Sequence, residues 1–366
     1  MTKKNVTIDR NRLFSLFRNM VDIYSPSGKE ESLSEYLTEY LKKSGFSIIK
    51  QPVDRLRYNL LASTGNNSFS GLFLGHIDTV PAFDIETSGF SQQKGLCYGL
   101  GTSDMKSGCA AMIESFIATH EAGYSIDDIM LALVVGEEET GDGTQALLKE
   151  KQFEWALVGE PTNLRPCLNH YGYIEISIVI SGYRQHAAMS GYDSNAVRTM
   201  LRLLLRLEEL VEKQCTDMVL NIRDLHSSES GFAVPDRCAV NVDLHIPPGI
   251  SAKENAEKIH AFIKRELEQS SLVGCEIEFP TLADGYEIGI DDPAAEKLQK
   301  VFIEQDMQWK PIAFKSHSDA NLLKDTGCNP LILGPGTLAK AHTRDESVNF
   351  EQVVSAARLY ACMLVQ

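Results

Sequence analysis

Several residues able to do chemistry stand directly behind short apolar, glycine-ended runs: His76 with Asp78 in GHIDTVP, the triplet Glu137, Glu138 and Glu139 in GEEETG, and Glu160 in GEPT. Asp104 follows a glycine-rich stretch in YGLGTSDMKSG, and His342 lies in AHTRDES behind a fourth such run. Most have an ordinary reading of their own. His76 and Asp78 could be a hydrogen-bonded loop, Asp104 an N-cap, and the glutamates a solvated loop. Together they supply nitrogen and oxygen donors for two metals of the zinc, cobalt or manganese type. His76 and Asp78 alternate along extended chain, so their side chains point the same way and the carboxylate can orient the imidazole. Three adjacent glutamates repel one another unless cations compensate. Two metals sharing a carboxylate can acidify a water, and a spare glutamate can take its proton. That is the chemistry of metal-assisted hydrolysis.

The elements that would position these residues are legible in the pattern. Apolar runs at 71–74, 129–135, 155–158 and 330–333, each ending in or followed by glycine and separated by helical segments, read as strands buried on both faces. The expected fold is α/β, a mostly parallel sheet flanked by helices. Ligands of such sheets bind beyond the carboxyl ends of the strands, which is where these residues fall. Amphipathic patterns at 9–23 and 30–44 predict two opening helices, and a run rich in small residues at 105–120 predicts another. From about Tyr173 to Leu282 the texture changes to strand, helix, strand, strand, helix, strand, an inserted βαββαβ two-layer unit. The expected organisation is one domain from 1–172 plus 283–366, with a second from 173–282.

Length and composition fit that organisation: 366 residues allow two domains, and 43% hydrophobic residues are ordinary for a globular chain. With 35 Lys and Arg against 50 Asp and Glu, the net charge of −15 opposes broad attraction to nucleic acid or anionic membranes. No run reaches the roughly 20 apolar residues of a membrane span, and the N-terminal stretch has no signal-peptide core. The eight cysteines are scattered without a CxxC pair, so free thiols in a cytoplasmic protein are expected.

The strings GHIDTVP, YGLGTSDMKSG, EEETG, VGEPT, SGYRQHAAM and LGPGTLAKAHTRDES occur together in this order. The chain thereby resembles, over essentially its whole length, the dinuclear zinc metallopeptidase and deacylase family of acetylornithine deacetylase, succinyl-diaminopimelate desuccinylase, aminoacylase and glutamate carboxypeptidase. YGLGTSDMK, GEPTNLRP and LGPG followed by AH look most like the acetylornithine deacetylase branch. The resemblance implies a zinc-peptidase-like catalytic domain with a lid and dimerisation insert, and two divalent metals, zinc first with cobalt or manganese compatible. It implies His76, Asp104 and Glu160 on one metal and Glu139 and His342 on the other, with Asp104, joined to Met105 by a cis peptide, bridging both metals. Asp78 would orient His76. Aligned on the family's DEE string, Glu138 becomes the general base and Glu137 stands for the Asp. His186, in GYRQHAA, would stabilise the oxyanion across a homodimer.

The resemblance thus implies a metal-dependent amidohydrolase acting on an N-acyl amino acid, within amino-acid and specifically arginine biosynthesis. A dipeptidase or carboxypeptidase of the same family is the second reading, and a non-catalytic metal-binding homologue the third. Two departures bear on the substrate. The family has an Asn before VPDR and an Arg in the segment reading DLHIPPG, both gripping a carboxylate; here Phe232 and His245 stand there. Arginine forks onto a carboxylate and stays charged, whereas histidine is largely neutral at pH 7. Arg184, Arg237, or the backbone at Ser318 and Asp319 in SHSDAN would then take over, or the substrate lacks that carboxylate.

Overall fold

The computed structural model describes residues 6–65, 68–190, 195–268 and 274–366. In chain order the first stretch runs α1 (Arg10–Asp22), α2 (Glu31–Lys43), β1 (Ser47–Pro52), β2 (Tyr58–Ser63), β3 (Gly71–His76), β4 (Ser91–Gln93), β5 (Leu96–Tyr98), α3 (Lys106–Glu121), β6 (Ile129–Val134), α4 (Asp142–Glu150), β7 (Trp155–Val158) and β8 (Cys167–His170). Then come β9 (Gly172–Ser181), α5 (Ala196–Gln214), β10 (Val219–Ser227), β11 (Arg237–Ile246), α6 (Ala252–Leu267), β12 (Gly274–Glu278), β13 (Leu282–Ala283) and β14 (Tyr286–Glu287). The last stretch holds α7 (Pro293–Glu304), β15 (Ile312–Phe314), α8 (Asp319–Asp325), β16 (Asn329–Ile332), β17 (Ser347–Asn349) and α9 (Phe350–Leu364). Two compact units result. The first takes the chain up to Leu168, Ile288–Phe314 and Ser318–Gln366, and the second takes Asn169–Glu287 with Lys315–His317.

The first unit is built on a mixed sheet in the order β1-β2-β6-β3-β7-β16, with β8 beyond β16. The pairs β3·β6, β3·β7 and β7·β16 are parallel, while β1·β2 and β2·β6 are antiparallel. Leu72, Phe73, Leu74, Leu131 and Leu133 are fully or almost fully buried, as the uninterrupted apolar runs require. Each such side chain contributes about 1.5–3 kcal/mol of burial free energy. Asp9 starts α1 by accepting hydrogen bonds from the amides of Asn11 and Arg12, and Asp292 with Pro293 does the same for α7. Helix α3 is buried along nearly its whole length. It lies close to the strand ends because Gly108 has no side chain: a Cβ there would stand 2.3 Å from the carbonyl oxygen of Gly159.

The second unit is the strand-helix-strand-strand-helix-strand arrangement, with an antiparallel sheet in the order β10-β11-β9-β12. Alternation in β9 puts Ile174, Ile176, Ile178 and Ile180 into a core shared with α5 and α6, including Met200, Leu204, Leu207, Ile259 and Ile263. Strands β13 and β14 pair with β9 and β8, which draws the unit's limits to 169 and 287 rather than 173 and 282. Among the described residues no helix is long and apolar enough to cross a membrane, and all eight cysteines are free thiols.

Candidate metal centre

The parallel register sets the geometry of the site. His76 pairs with Val134 and Leu74 with Val158, so β3, β6 and β7 end together. His76 is the last residue of β3, and Glu137 and Glu160 follow the ends of β6 and β7 by three and two positions. The buried His76 ring has Nδ1 3.1 Å from the carbonyl oxygen of Asp78. Its Nδ1–H donates there, which leaves the Nε2 lone pair for a ligand. Nε2 is 3.3 Å from Asp104 Oδ1 and 3.8 Å from both Glu137 Oε2 and Glu160 Oε1.

Asp78 clamps the neighbouring turn. Its carboxylate accepts hydrogen bonds from Ser27 Oγ at 2.7 Å, the Glu137 amide at 3.2 Å and the Glu138 amide at 3.1 Å. The turn itself depends on Gly136, at φ 75°, where a Cβ would fall 2.1 Å from Asp142 Oδ1. Asp104, joined to Met105 by a cis peptide, turns Oδ1 to His76 and Oδ2 to His342 Nε2 at 3.5 Å. His342, at φ 57°, also lies 2.9 Å from Glu138 Oε2.

Two donor triads emerge, His76–Asp104–Glu160 and Asp104–Glu138–His342, each with ligand atoms within 4.8 Å of one another and with Asp104 common to both. Mixed imidazole and carboxylate donors suit zinc, cobalt or manganese, so the residues present fit a pair of divalent cations sharing a carboxylate.

The electrostatics agree. Burial, and then the charge of neighbouring carboxylates, pushes the Glu137 and Glu160 carboxyls well above the usual range. Burial alone would lower the His76 imidazole, but Glu137, Asp104, Asp78 and Glu160 outweigh it and hold it well above its ordinary value. His342 is likewise raised to about 9: burial opposes protonation, and the hydrogen bond to Glu138 overrides it. An acidic pocket that retains protons in this way is one that cations would discharge.

The glutamate frame expected from the sequence is displaced by one residue. Glu139, expected as a metal ligand, is exposed and belongs to neither triad. The residue beside His342 is Glu138, the expected base, and Glu137 is the carboxylate left over. The reason is local: the tight turn at Gly136 and the two amide bonds to Asp78 carry residues 137 and 138 inward and leave 139 outside. A frame counted from the end of the apolar run, with Gly136 in the position given to an aspartate, would have found it.

Other expected residues fall elsewhere. His186 belongs to the second unit, exposed, and its Nδ1 accepts a hydrogen bond from the Ala188 amide at 3.2 Å, so Nε2 carries the proton. Phe232 is 92% exposed. His245 sits 5.3 Å from the Tyr173 ring, and burial lowers its pKa, which keeps it neutral. Arg184 donates to the carbonyls of Glu229 and Ser230. Asp319 is buried, bonded to Thr144 Oγ1 at 2.7 Å, and burial raises its carboxyl to about 7.

Sequence reasoning missed Glu346. Its carboxylate accepts from the amides of Gly101 at 2.9 Å, Ser103 at 2.8 Å and Asp104 at 3.0 Å, and so fixes the loop that presents Asp104. Its only signal was an acid next to Asp345, shortly after His342.

Comparison with known proteins identifies the family. The sequence pattern of peptidase family M20/M25/M40 matches residues 72–366. A LysW-lysine/LysW-ornithine hydrolase of Pyrobaculum aerophilum, so named putatively, is 27% identical over 94% of this chain and 94% of its own. An acetylornithine deacetylase of Vibrio cholerae is 27% identical over 91% of this chain and 90% of its own. Among solved structures, a tripeptidase from Staphylococcus aureus superposes with a TM-score of 0.84 at 19% identity, over 98% of both chains, which concerns the fold alone.

Proposed function

Since the chain belongs to peptidase family M20/M25/M40 and is a metal-dependent hydrolase, we propose that it cleaves the amide bond of an N-acyl amino acid, with acetylornithine-like substrates first. The observation that carries this reading is the leftover acid: Glu137, largely shielded from solvent, lies 3.8 Å from His76 and belongs to neither donor triad. His76, Asp104 and Glu160 would hold one divalent metal, and Asp104, Glu138 and His342 a second. When bound, such metals polarise a carbonyl and make water more acidic.

Glu137 then removes the proton from the attacking water and delivers it to the leaving amine nitrogen. Asp78 holds the Glu137–Glu138 turn through their two amides. His186, with its proton on Nε2, donates to the developing oxyanion. It would do so within a homodimer formed through the second unit, whose edge strand β10 carries exposed Val219, Ile222 and Leu225 and whose helix α5 exposes Leu201 and Leu205. Zinc as the metal, a cytoplasmic location and a place in arginine biosynthesis belong to the same reading. Two relatives are named for ornithine derivatives, which supports that substrate class.

A dipeptidase or carboxypeptidase reading is favoured by His245, which lacks the charged fork of the Arg expected there, and by Phe232 in place of an Asn. The deciding experiment is amine release from a panel of N-acetylornithine, other N-acyl amino acids, succinyl-diaminopimelate and dipeptides, with zinc or cobalt added and then chelated. Chelator-sensitive cleavage of an N-acyl amino acid is the expected result; cleavage confined to dipeptides would move the assignment to the second reading, and silence across the panel would refute both.

A further inference from the structure

A cleft of about 460 Å³ lies in the first unit, lined by Phe83, Tyr98, Leu100, Thr343, Arg344 and Glu346 among others. Beside the 82–88 segment, its walls are two segments adjacent in sequence to Asp104 and His342. Tyr98 to Leu100 lead into the loop of Asp104, and Thr343 to Glu346 directly follow His342. Glu346 ties the cleft to the metal site, since it lines the cleft and its carboxylate accepts the Asp104 amide at 3.0 Å. The volume suits a small amino-acid derivative.

Three groups in the cleft carry formal charge, and two are already engaged. Glu346 accepts the amides of Gly101, Ser103 and Asp104, and Asp84 accepts the amide of Glu86 at 3.0 Å. Arg344 is different. Its guanidinium lies 5.7 Å from the centroid of the Phe83 ring, and among the described residues it forms no ion pair. In a chain with 50 acids against 35 bases, an arginine without an acid partner, two residues after His342, has its anion-binding fork available. The exposed guanidinium lies over the exposed Phe83 ring, and Phe83, Tyr98 and Leu100 offer apolar walls for the body of a ligand.

We propose that Arg344 binds the free carboxylate of the substrate, so that this cleft, and not His245, selects for acids over neutral amides. The proposal rests on the amide-hydrolase reading of the metal centre, and its test separates the two. The zinc-loaded enzyme and its Arg344→Met and Arg344→Lys variants are compared on an N-acetyl amino acid and on the same compound with its carboxylate converted to a carboxamide. The wild type is expected to prefer the acid about 10- to 100-fold in kcat/KM. Arg344→Met should lose that preference, with the loss carried by KM, and Arg344→Lys should recover part of it. A wild type indifferent to the carboxamide, or an Arg344→Met variant that keeps the preference, overturns the proposal.

Calorimetric binding of the same acid and carboxamide reads Arg344 without turnover. If no substrate is cleaved, the amide-hydrolase reading fails, while Arg344 stands or falls on whether Arg344→Met weakens binding of the acid about tenfold or more and leaves the carboxamide unchanged.

Discussion

Among single residues, the three consecutive glutamates stand in three different places: Glu137 within 3.8 Å of His76, Glu138 within 2.9 Å of His342, and Glu139 exposed. His76, Asp78, Asp104, Glu160 and His342 announce themselves as donors behind strand ends, and the structure brings all five together. Three consecutive glutamates carry no internal mark of which one points inward. That choice is made by a turn at Gly136 and by amide bonds to Asp78, neither of which has a signature in residue type. The roles now assigned to the triplet can be separated by substitution. Glu137→Gln should lower kcat by about 10²–10⁴-fold with metal content intact. Glu138→Gln should lose one equivalent of metal, and Glu139→Gln should stay within about twofold of wild type. Steady-state kinetics alongside elemental analysis checks this, and a Glu139→Gln variant that loses metal while Glu138→Gln retains it would restore the frame expected from the sequence.

Among the elements, apolar runs dictated by both-face burial were readable, which is why β3, β6, β7 and β16 fall where the pattern puts them. The short pairings that finish the second unit, β13 on β9 and β14 on β8, were not, because two-residue strands leave no periodicity to detect. One of them creates a testable pH dependence. In the β8–β14 pair, His170 faces Tyr286, the rings 5.2 Å apart and nearly parallel. His170 is fully buried, and burial lowers its pKa from 6.5 to about 3, against the opposing hydrogen bond from Nδ1–H to the Tyr171 carbonyl.

A histidine with a depressed folded-state pKa takes up its proton more readily when unfolded. Its stabilising contribution is therefore complete above pH 6.5 and is lost as the pH falls from there toward 3. Between about pH 7 and 5 this amounts to on the order of 2 kcal/mol. His170→Phe, which keeps an aromatic ring against Tyr286, should reduce the loss of unfolding free energy over that interval by about that much. Urea denaturation at the two pH values measures it, and an undiminished loss in the variant would show that His170 is not the group responsible.

For the molecule as a whole, the texture of the sequence changes near Tyr173 and Leu282, while the two compact units are bounded by pairings between segments distant in sequence. Substrate choice was the least legible property. The sequence points to Phe232 and His245 as absences, and only the fold places Arg344 in a cleft beside the segment of His342. The chain belongs to a metal-dependent hydrolase family; its two donor triads sharing Asp104 are a candidate site for two cations, and on the proposed reading hydrolysis depends on both. Metal content per chain, followed during chelation and zinc add-back together with amide-hydrolysis rate and Tm, puts this to the test. Two equivalents per chain are predicted, with loss of activity and a lower Tm as they are removed, and recovery of both on restoring zinc. One equivalent or none at full activity, or activity and Tm indifferent to chelation, would contradict it.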